Sequence, residues 1–274
     1  MPADNDPPQA AGARSDRPDA GDIERHNQRE IDGLNQRGGR MLSLVDLLAA
    51  GTVSADLAAE LAAAAAGGCS FLTAAGPGGV GKTTLMGAML AFLPPGMRIV
   101  TIEGPGSLRS AARSRPGPPE CLLVHEIGSG RYYGYLWGRA VAEYFDLAAA
   151  TGRTLVSNLH AETYPEAVEQ LTRPPLGVSP AALARVDLMV FMAAVGGKRR
   201  VTGVRRAAGE AHEETWRWSA GDDRFERVAP APADQADRAA RFREFLARAL
   251  ADECRTMADL RRRAVAELFA DAGL

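Results

Sequence analysis

The sequence predicts an α/β fold with a mainly parallel sheet flanked by helices, and three observations carry that prediction. Short apolar runs bounded by glycine or proline alternate with longer segments of helical periodicity. Polar residues close several of these runs at their C-terminal ends, where sheets of this kind place their ligand sites. The stretch Gly76-Pro77-Gly78-Gly79-Val80-Gly81-Lys82-Thr83-Thr84 joins one such run to a helical segment through a glycine-rich loop.

Taken in order, residues 1–40 are polar, rich in Pro, Gly, Asp and Arg and poor in large apolar residues, so they read as a disordered N-terminal segment. From Met41, the residues Leu42, Leu44, Val45, Leu47 and Leu48 predict a short helix ended by Gly51. Ser54 caps a second helix, with Leu57 and Leu61 on one face and Gly67-Gly68 as its stop. Cys69 to Ala74 reads as a buried strand. Lys82 to Leu93 is helical, with Leu85, Met86, Met89, Leu90 and Leu93 at helix spacing and Pro94-Pro95 ending it. Arg98 to Glu103 is a second strand, and residues 104–119 a Gly/Pro/Ser/Arg-rich connection with one helical turn at Leu108 to Arg113. Cys121 to Glu126 is a third strand, followed by a glycine-broken aromatic loop from Gly128 to Trp137. A helix to Thr151, a strand from Thr154 to Asn158, the turn bearing His160 and a helix from Tyr164 to Leu171 come next.

Val186 to Val195 and Arg199 to Arg205 read as a hairpin through Gly196-Gly197, and Trp216 to Trp218 with Phe225 to Val228 as a second pair. Residues 229–235, with Pro230-Ala231-Pro232, form a linker to two arginine-rich amphipathic helices at 236–252 and 257–270. The expected division is therefore a domain over 41–228 and a C-terminal helical appendage over 236–274.

The net charge of −2 gives no whole-chain case for nucleic acid or an anionic membrane surface. Cys69, Cys121 and Cys254 lack metal-ligand spacing and read as reduced thiols of a cytosolic protein. No run approaches the ~20 apolar residues needed to cross a bilayer. The polar start has neither basic region nor apolar core, so no secretory leader is expected.

The glycine-rich stretch has the spacing G-x-x-x-x-G-K-[ST], a phosphate-binding P-loop, in the required strand–loop–helix context. Its glycines let successive N–H groups turn around an anion, Lys82 reaches the β- and γ-phosphates, and Thr83 Oγ takes Mg²⁺. The helix N-terminus adds partial positive charge. Of 32 basic residues only Lys82 and Lys198 are lysine, so a compact ammonium stands where the loop calls for one. The expected ligands are ATP and Mg²⁺, held by residues 76–84. Glu126, ending an apolar strand, suits the carboxylate that orients water and supports Mg²⁺. Glu103 ends another strand and reads equally as a solvated loop acid. His160, taken alone, reads as a structural hydrogen-bonding residue.

Together these stretches resemble the type II/IV secretion-system ATPases, most closely the branch serving Tad pili and conjugative secretion, over Met41 to Val228. Gly76 to Thr84 is similar to the Walker A motif of that family. Pro94 to Glu103 resembles the strand entering its Asp box, Leu122 to Ile127 its Walker B, Thr151 to Ala161 its His box, and Val186 to Thr202 its closing strands. The resemblance implies a RecA-like P-loop fold and ATP hydrolysis in a hexameric ring. Lys82, Glu126, Glu103 and His160 would be catalytic, the last as γ-phosphate sensor. It also implies a cytoplasmic subunit at the inner face of the cell membrane, acting on a membrane-embedded secretion or pilus platform.

Several positions depart from the family. Gly104 replaces the second acid of the Asp box, His125 a glycine, Gly128 an arginine and Arg153 a histidine. Residues 1–40 stand where members carry a folded domain that supplies arginines, so the chain reads as a reduced form. A second reading follows: a hydrolysis-deficient ATP-binding paralogue that assembles with, or regulates, a related full-length ATPase. Partitioning ATPases carry a similar loop but with a lysine where Pro77 stands. Residues 234–274 balance eight basic against eight acidic residues, a solvated pattern, while Phe242, Phe245, Leu246 and Leu250 form a stripe expected to pack on the domain. Tyr132, Tyr133, Tyr135 and Trp137 read either as a partner surface or as packing of the inserted loop.

Overall fold

The computed structural model describes residues 19–35, 38–76, 78–114, 117–130, 132–231, 233–254 and 256–270. Residues 1–18 and Pro77, for which disorder and phosphate binding respectively were expected, lie outside the described residues.

The chain begins with helix α1 (Ala20–Gly33), followed by α2 (Leu44–Ala49), α3 (Ala55–Ala66), strand β1 (Phe71–Ala74) and α4 (Lys82–Leu90). Then come β2 (Arg98–Thr101), α5 (Pro105–Arg113), β3 (Glu120–Ile127), β4 (Tyr135–Leu136), α6 (Arg139–Thr151) and β5 (Thr154–Leu159). Two further helices, α7 (Tyr164–Thr172) and α8 (Pro180–Leu183), lead into β6 (Leu188–Val195), β7 (Lys198–Ala208), β8 (Ala211–Ser219) and β9 (Arg224–Arg227). Helices α9 (Ala233–Ala251) and α10 (Met257–Leu268) follow.

One sheet runs β2-β3-β5-β1-β6-β7-β8-β9, parallel from β2 to β6 and antiparallel from β6 to β9. This is the expected α/β class, and the two expected C-terminal hairpins fuse into one four-stranded meander. Side-chain alternation divides the core into two faces. Phe71, Val156, Cys121 and Val190 face the layer of α1, α2, α3, α4, α9 and α10. Leu72, Leu155, Leu122 and Met189 face α5, α6, α7 and α8.

The expected disorder of residues 1–40 is corrected over α1. Ile23, Asn27, Ile31 and Leu34 share one buried face of the helix. β2 is an edge strand whose outward backbone groups need partners. Asn27 supplies two of them, donating from Nδ2 to Met97 O and accepting from Ile99 N, each at 2.8 Å. His26 Nε2 donates to Ile99 O at 2.8 Å, and Glu30 accepts from Thr101 Oγ1. Part of the docking is thus polar, and a hydrophobicity count does not register it.

The single turn expected at Leu108 to Arg113 is a full helix. Pro105 starts it, and Ser107 Oγ accepts from Glu103 N at 2.9 Å and Gly104 N at 3.1 Å. The linker expected over 229–235 is shorter, because α9 already begins at Ala233. α9 lies along the alanine-rich α3, whose small side chains admit Phe242, Phe245 and Leu246 to the core. Phe92 meets both phenylalanines edge-on, at 5.8 and 6.4 Å. Leu250, expected in that stripe, is exposed. Arg261 of α10 pairs with Glu24 of α1 (2.6 Å) and donates to the carbonyl of Leu93, so α1 and α10 meet beyond the end of α4. Cys69 lies just outside β1 rather than within a strand, and all three thiols are free. Among the described residues no helix is long and apolar enough to cross a membrane.

Candidate functional site

A cleft of about 560 Å³ opens at the carboxyl ends of β1, β3 and β5, within the range of small-molecule sites. Its floor is the loop from Gly78 to Gly81 and the first turn of α4. Gly81 caps that helix with φ of 113°, a left-handed conformation that a side chain would strain. Lys82 is buried, and its ammonium is held below its usual pKa by that burial, with the Glu126 charge opposing.

Glu126 and His160 arrive from neighbouring strands and meet over the loop. His160 Nε2 pairs with Glu126 Oε1. Lys82 Nζ lies 3.1 Å from His160 Nδ1 and donates to Ala75 O at 3.3 Å. With the Nε2 proton directed at Glu126, Nδ1 accepts from Lys82. Gly76 O lies 2.9 Å from Nδ1. Three of the four residues expected to be catalytic therefore form one chain of contacts.

Glu103, the fourth, sits elsewhere. It is exposed at the end of β2, does not line the cleft, and accepts a hydrogen bond from Tyr133 OH at 3.0 Å. Burial, and then Glu103, push the Tyr133 phenol up to about 12. Of the loop, Gly78, Gly79, Val80, Gly81, Lys82, Thr83 and Thr84 line the cleft, whereas Gly76 does not and meets His160 through its carbonyl. Thr83 Oγ1 accepts from Asn158 Nδ2 at 3.2 Å. Together with the Glu126 carboxylate it offers hard oxygen donors, the kind Mg²⁺ takes while keeping waters and phosphate oxygens in the rest of its shell. The donor set fits that ion.

Sequence reasoning passed over several residues of the site. Asn158 is the hub beneath it, bonding Thr83, the His125 carbonyl (2.7 Å) and Thr73 Oγ1 across the β1–β5 register. A buried amide facing a buried threonine in apolar strands was the available signal, since such groups are nearly always paired. Arg199, from β7, lines the cleft and donates from Nε to Gly79 O at 3.3 Å. Leu34, Asn35 and Met41 close the side nearest α1.

Part of the aromatic loop packs against the end of β3. β4 adds a short parallel strand beside the end of β3, pairing Tyr135 with Glu126. Gly134 (φ 74°) passes so close to the buried His125 that a Cβ there would lie 2.5 Å from its ring, and Gly134 O accepts from His125 N at 2.8 Å. Tyr132 and Tyr135 meet edge-on at 5.1 Å on the cleft wall, yet Tyr132, Tyr133 and Trp137 are all exposed. Arg153 holds two elements together, pairing with Glu120 at 2.9 Å and donating to Ala111 O and Ser114 Oγ at the end of α5.

No protein-family model and no curated protein matches the sequence. Among solved structures, the chain is similar to the VirB11 ATPase from the Brucella suis type IV secretion system, determined in complex with sulphate. Identity is 20% and the TM-score 0.44, over 73% of this chain and 64% of that one. The chain thus spans less than two thirds of that protein's length.

Proposed function

We propose that this chain binds Mg·ATP in the P-loop cleft and hydrolyses it as the motor subunit of a type II/IV secretion or pilus-assembly machine. The observation that carries nucleotide binding is the convergence of Lys82, Thr83, Glu126 and His160 on the loop from Gly78 to Gly81. Loop amides and Lys82 bind the β- and γ-phosphates. Thr83 and Glu126 would hold Mg²⁺, which when bound neutralises phosphate charge. Glu126 orients a water in line with the γ-phosphorus; the new P–O bond forms as the bond to the β-phosphate oxygen breaks, giving ADP and phosphate. His160, placed between Lys82 and Glu126, exchanges its contact with Lys82 for the γ-phosphate and so senses it. The motor role rests on the ordered motif resemblance, as do the hexameric ring and a cytoplasmic place beside a membrane-embedded platform.

One observation favours the second reading, an ATP-binding paralogue that assembles with a related ATPase without turning over: Glu103, expected in the water network, lies outside the cleft. Binding is tested by calorimetry of Mg·ATP with the wild type and Lys82→Ala, with oligomer mass measured in the same buffer. Micromolar binding abolished by Lys82→Ala supports the nucleotide site, and a nucleotide-dependent ring supports the motor. Equal binding by both proteins removes the site from the P-loop.

A further inference from the structure

We infer that Arg199 is a phosphate ligand of the nucleotide, contributed by the antiparallel extension of the sheet; this deepens, and rests on, the nucleotide reading above. The hairpin of β6 and β7 turns at Gly196-Gly197 and sets Ala194 opposite Arg199 and Ala193 opposite Arg200. Strand alternation sends the two adjacent arginines to opposite faces, and they have opposite fates.

Arg200 is buried and fully employed. Its Nε and Nη2 meet the two carboxylate oxygens of Asp223 at 2.9 Å each, and Nη1 donates to Arg199 O at 3.1 Å. Arg199 is exposed on the cleft wall. Its stem crosses the P-loop so closely that a Cβ on Gly81 would lie 3.3 Å from Arg199 Cδ, and its Nε is anchored on Gly79 O. Neither terminal nitrogen has a hydrogen-bond or ion-pair partner among the described residues.

A guanidinium fixed at one end over an anion-binding loop, with its two terminal donors open, has the geometry for two oxygens of one phosphate group. Lys82 approaches from inside the loop as a point charge; Arg199 approaches from outside as a planar fork. The site's carboxylate, Glu126, is engaged by His160 and does not compete for it.

The test is calorimetric titration of ATP and of tripolyphosphate into the wild type, Arg199→Ala, Arg199→Gln, Arg199→Lys and Lys82→Ala, each at low and high salt. The expected result is a loss of about tenfold or more in affinity for both ligands in the Ala and Gln proteins with a flatter salt dependence, and in Lys a partial recovery with a salt dependence close to that of the wild type. Glutamine keeps an N–H for the Gly79 carbonyl, so a purely structural Arg199 would leave Arg199→Gln binding like the wild type, which overturns the inference. A loss confined to ATP, with tripolyphosphate unaffected, also overturns it by moving the contact to the base or ribose. If the wild type binds neither ligand, or Lys82→Ala binds as well as the wild type, the nucleotide reading itself fails and this inference with it.

Discussion

Replacing Asn27 with alanine tests why the first helix docks at all. Asn27 is 6% exposed, and its amide takes the place of a missing neighbouring strand, satisfying Met97 O and Ile99 N on the open edge of β2. Alanine removes both hydrogen bonds, each contributing about 1 kcal/mol net. It also leaves a buried donor and acceptor without partners, a cost of about 1–3 kcal/mol each if no water reaches them. Because β2 lies at the sheet edge, water will reach part of this site, so the expected destabilisation is about 2–4 kcal/mol. The loss falls first on the docking of α1, since the sheet beneath is held by its own ladder. Hydrogen exchange should therefore accelerate across residues 20–33 and at Ile99 before the global urea midpoint moves by the full amount. Gln28→Ala is the control: that side chain bonds only Asp32 on the exposed face, and surface changes of this kind stay within about 0.5 kcal/mol. If Asn27→Ala and Gln28→Ala agree within about 0.5 kcal/mol and Ile99 exchanges as in the wild type, the edge-capping account is wrong.

Other consequences follow from the same contacts. Gly134→Ala places a methyl group against the His125 ring at a positive-φ position, so a loss of about 2–4 kcal/mol is expected, read by chemical denaturation and tyrosine fluorescence. Arg153→Ala removes the half-buried pair with Glu120 and two bonds to the end of α5, for a loss of about 1–3 kcal/mol; a change under about 0.5 kcal/mol would make that arginine incidental. His212 is buried, donates to Val186 O at 2.7 Å, and its imidazole is held below the ordinary value chiefly by that burial. As pH falls, the unfolded chain takes up this proton first. The contribution of neutral His212 is therefore complete above the ordinary histidine pKa of about 6.5 and is lost as pH falls through the lower folded value. An NMR titration midpoint at or above 6.5 would contradict this.

The fold was readable because its signals are local. Cys121 to Glu126 and Thr154 to Asn158 are apolar runs of strand length, and the Lys82 helix carries its stop in Pro94-Pro95. What escaped depended on contacts between distant segments. The helix at Ala20–Gly33 has few apolar residues, and its place is set by an asparagine facing a strand edge some 70 positions away. Lys82, Thr83 and Glu126, singled out by the P-loop pattern and a strand end, line one cleft. Arg199 was not singled out, because it reaches the loop from a strand 120 residues beyond Gly79. Asn158 lacked a motif of its own, and Glu103, which also read as a solvated loop acid, shares a strand end with Glu126 but stands on the edge strand β2, farther from β1.

The central claim is hydrolysis at this P-loop, and phosphate release from Mg·ATP by the wild type, Lys82→Ala and Glu126→Gln tests it most directly. The account predicts turnover in the wild type, falling at least about a hundredfold in both variants, with nucleotide binding lost only in Lys82→Ala. Tight binding with no wild-type release above the Glu126→Gln background would contradict it, and would assign the chain to the non-hydrolysing, partner-dependent reading.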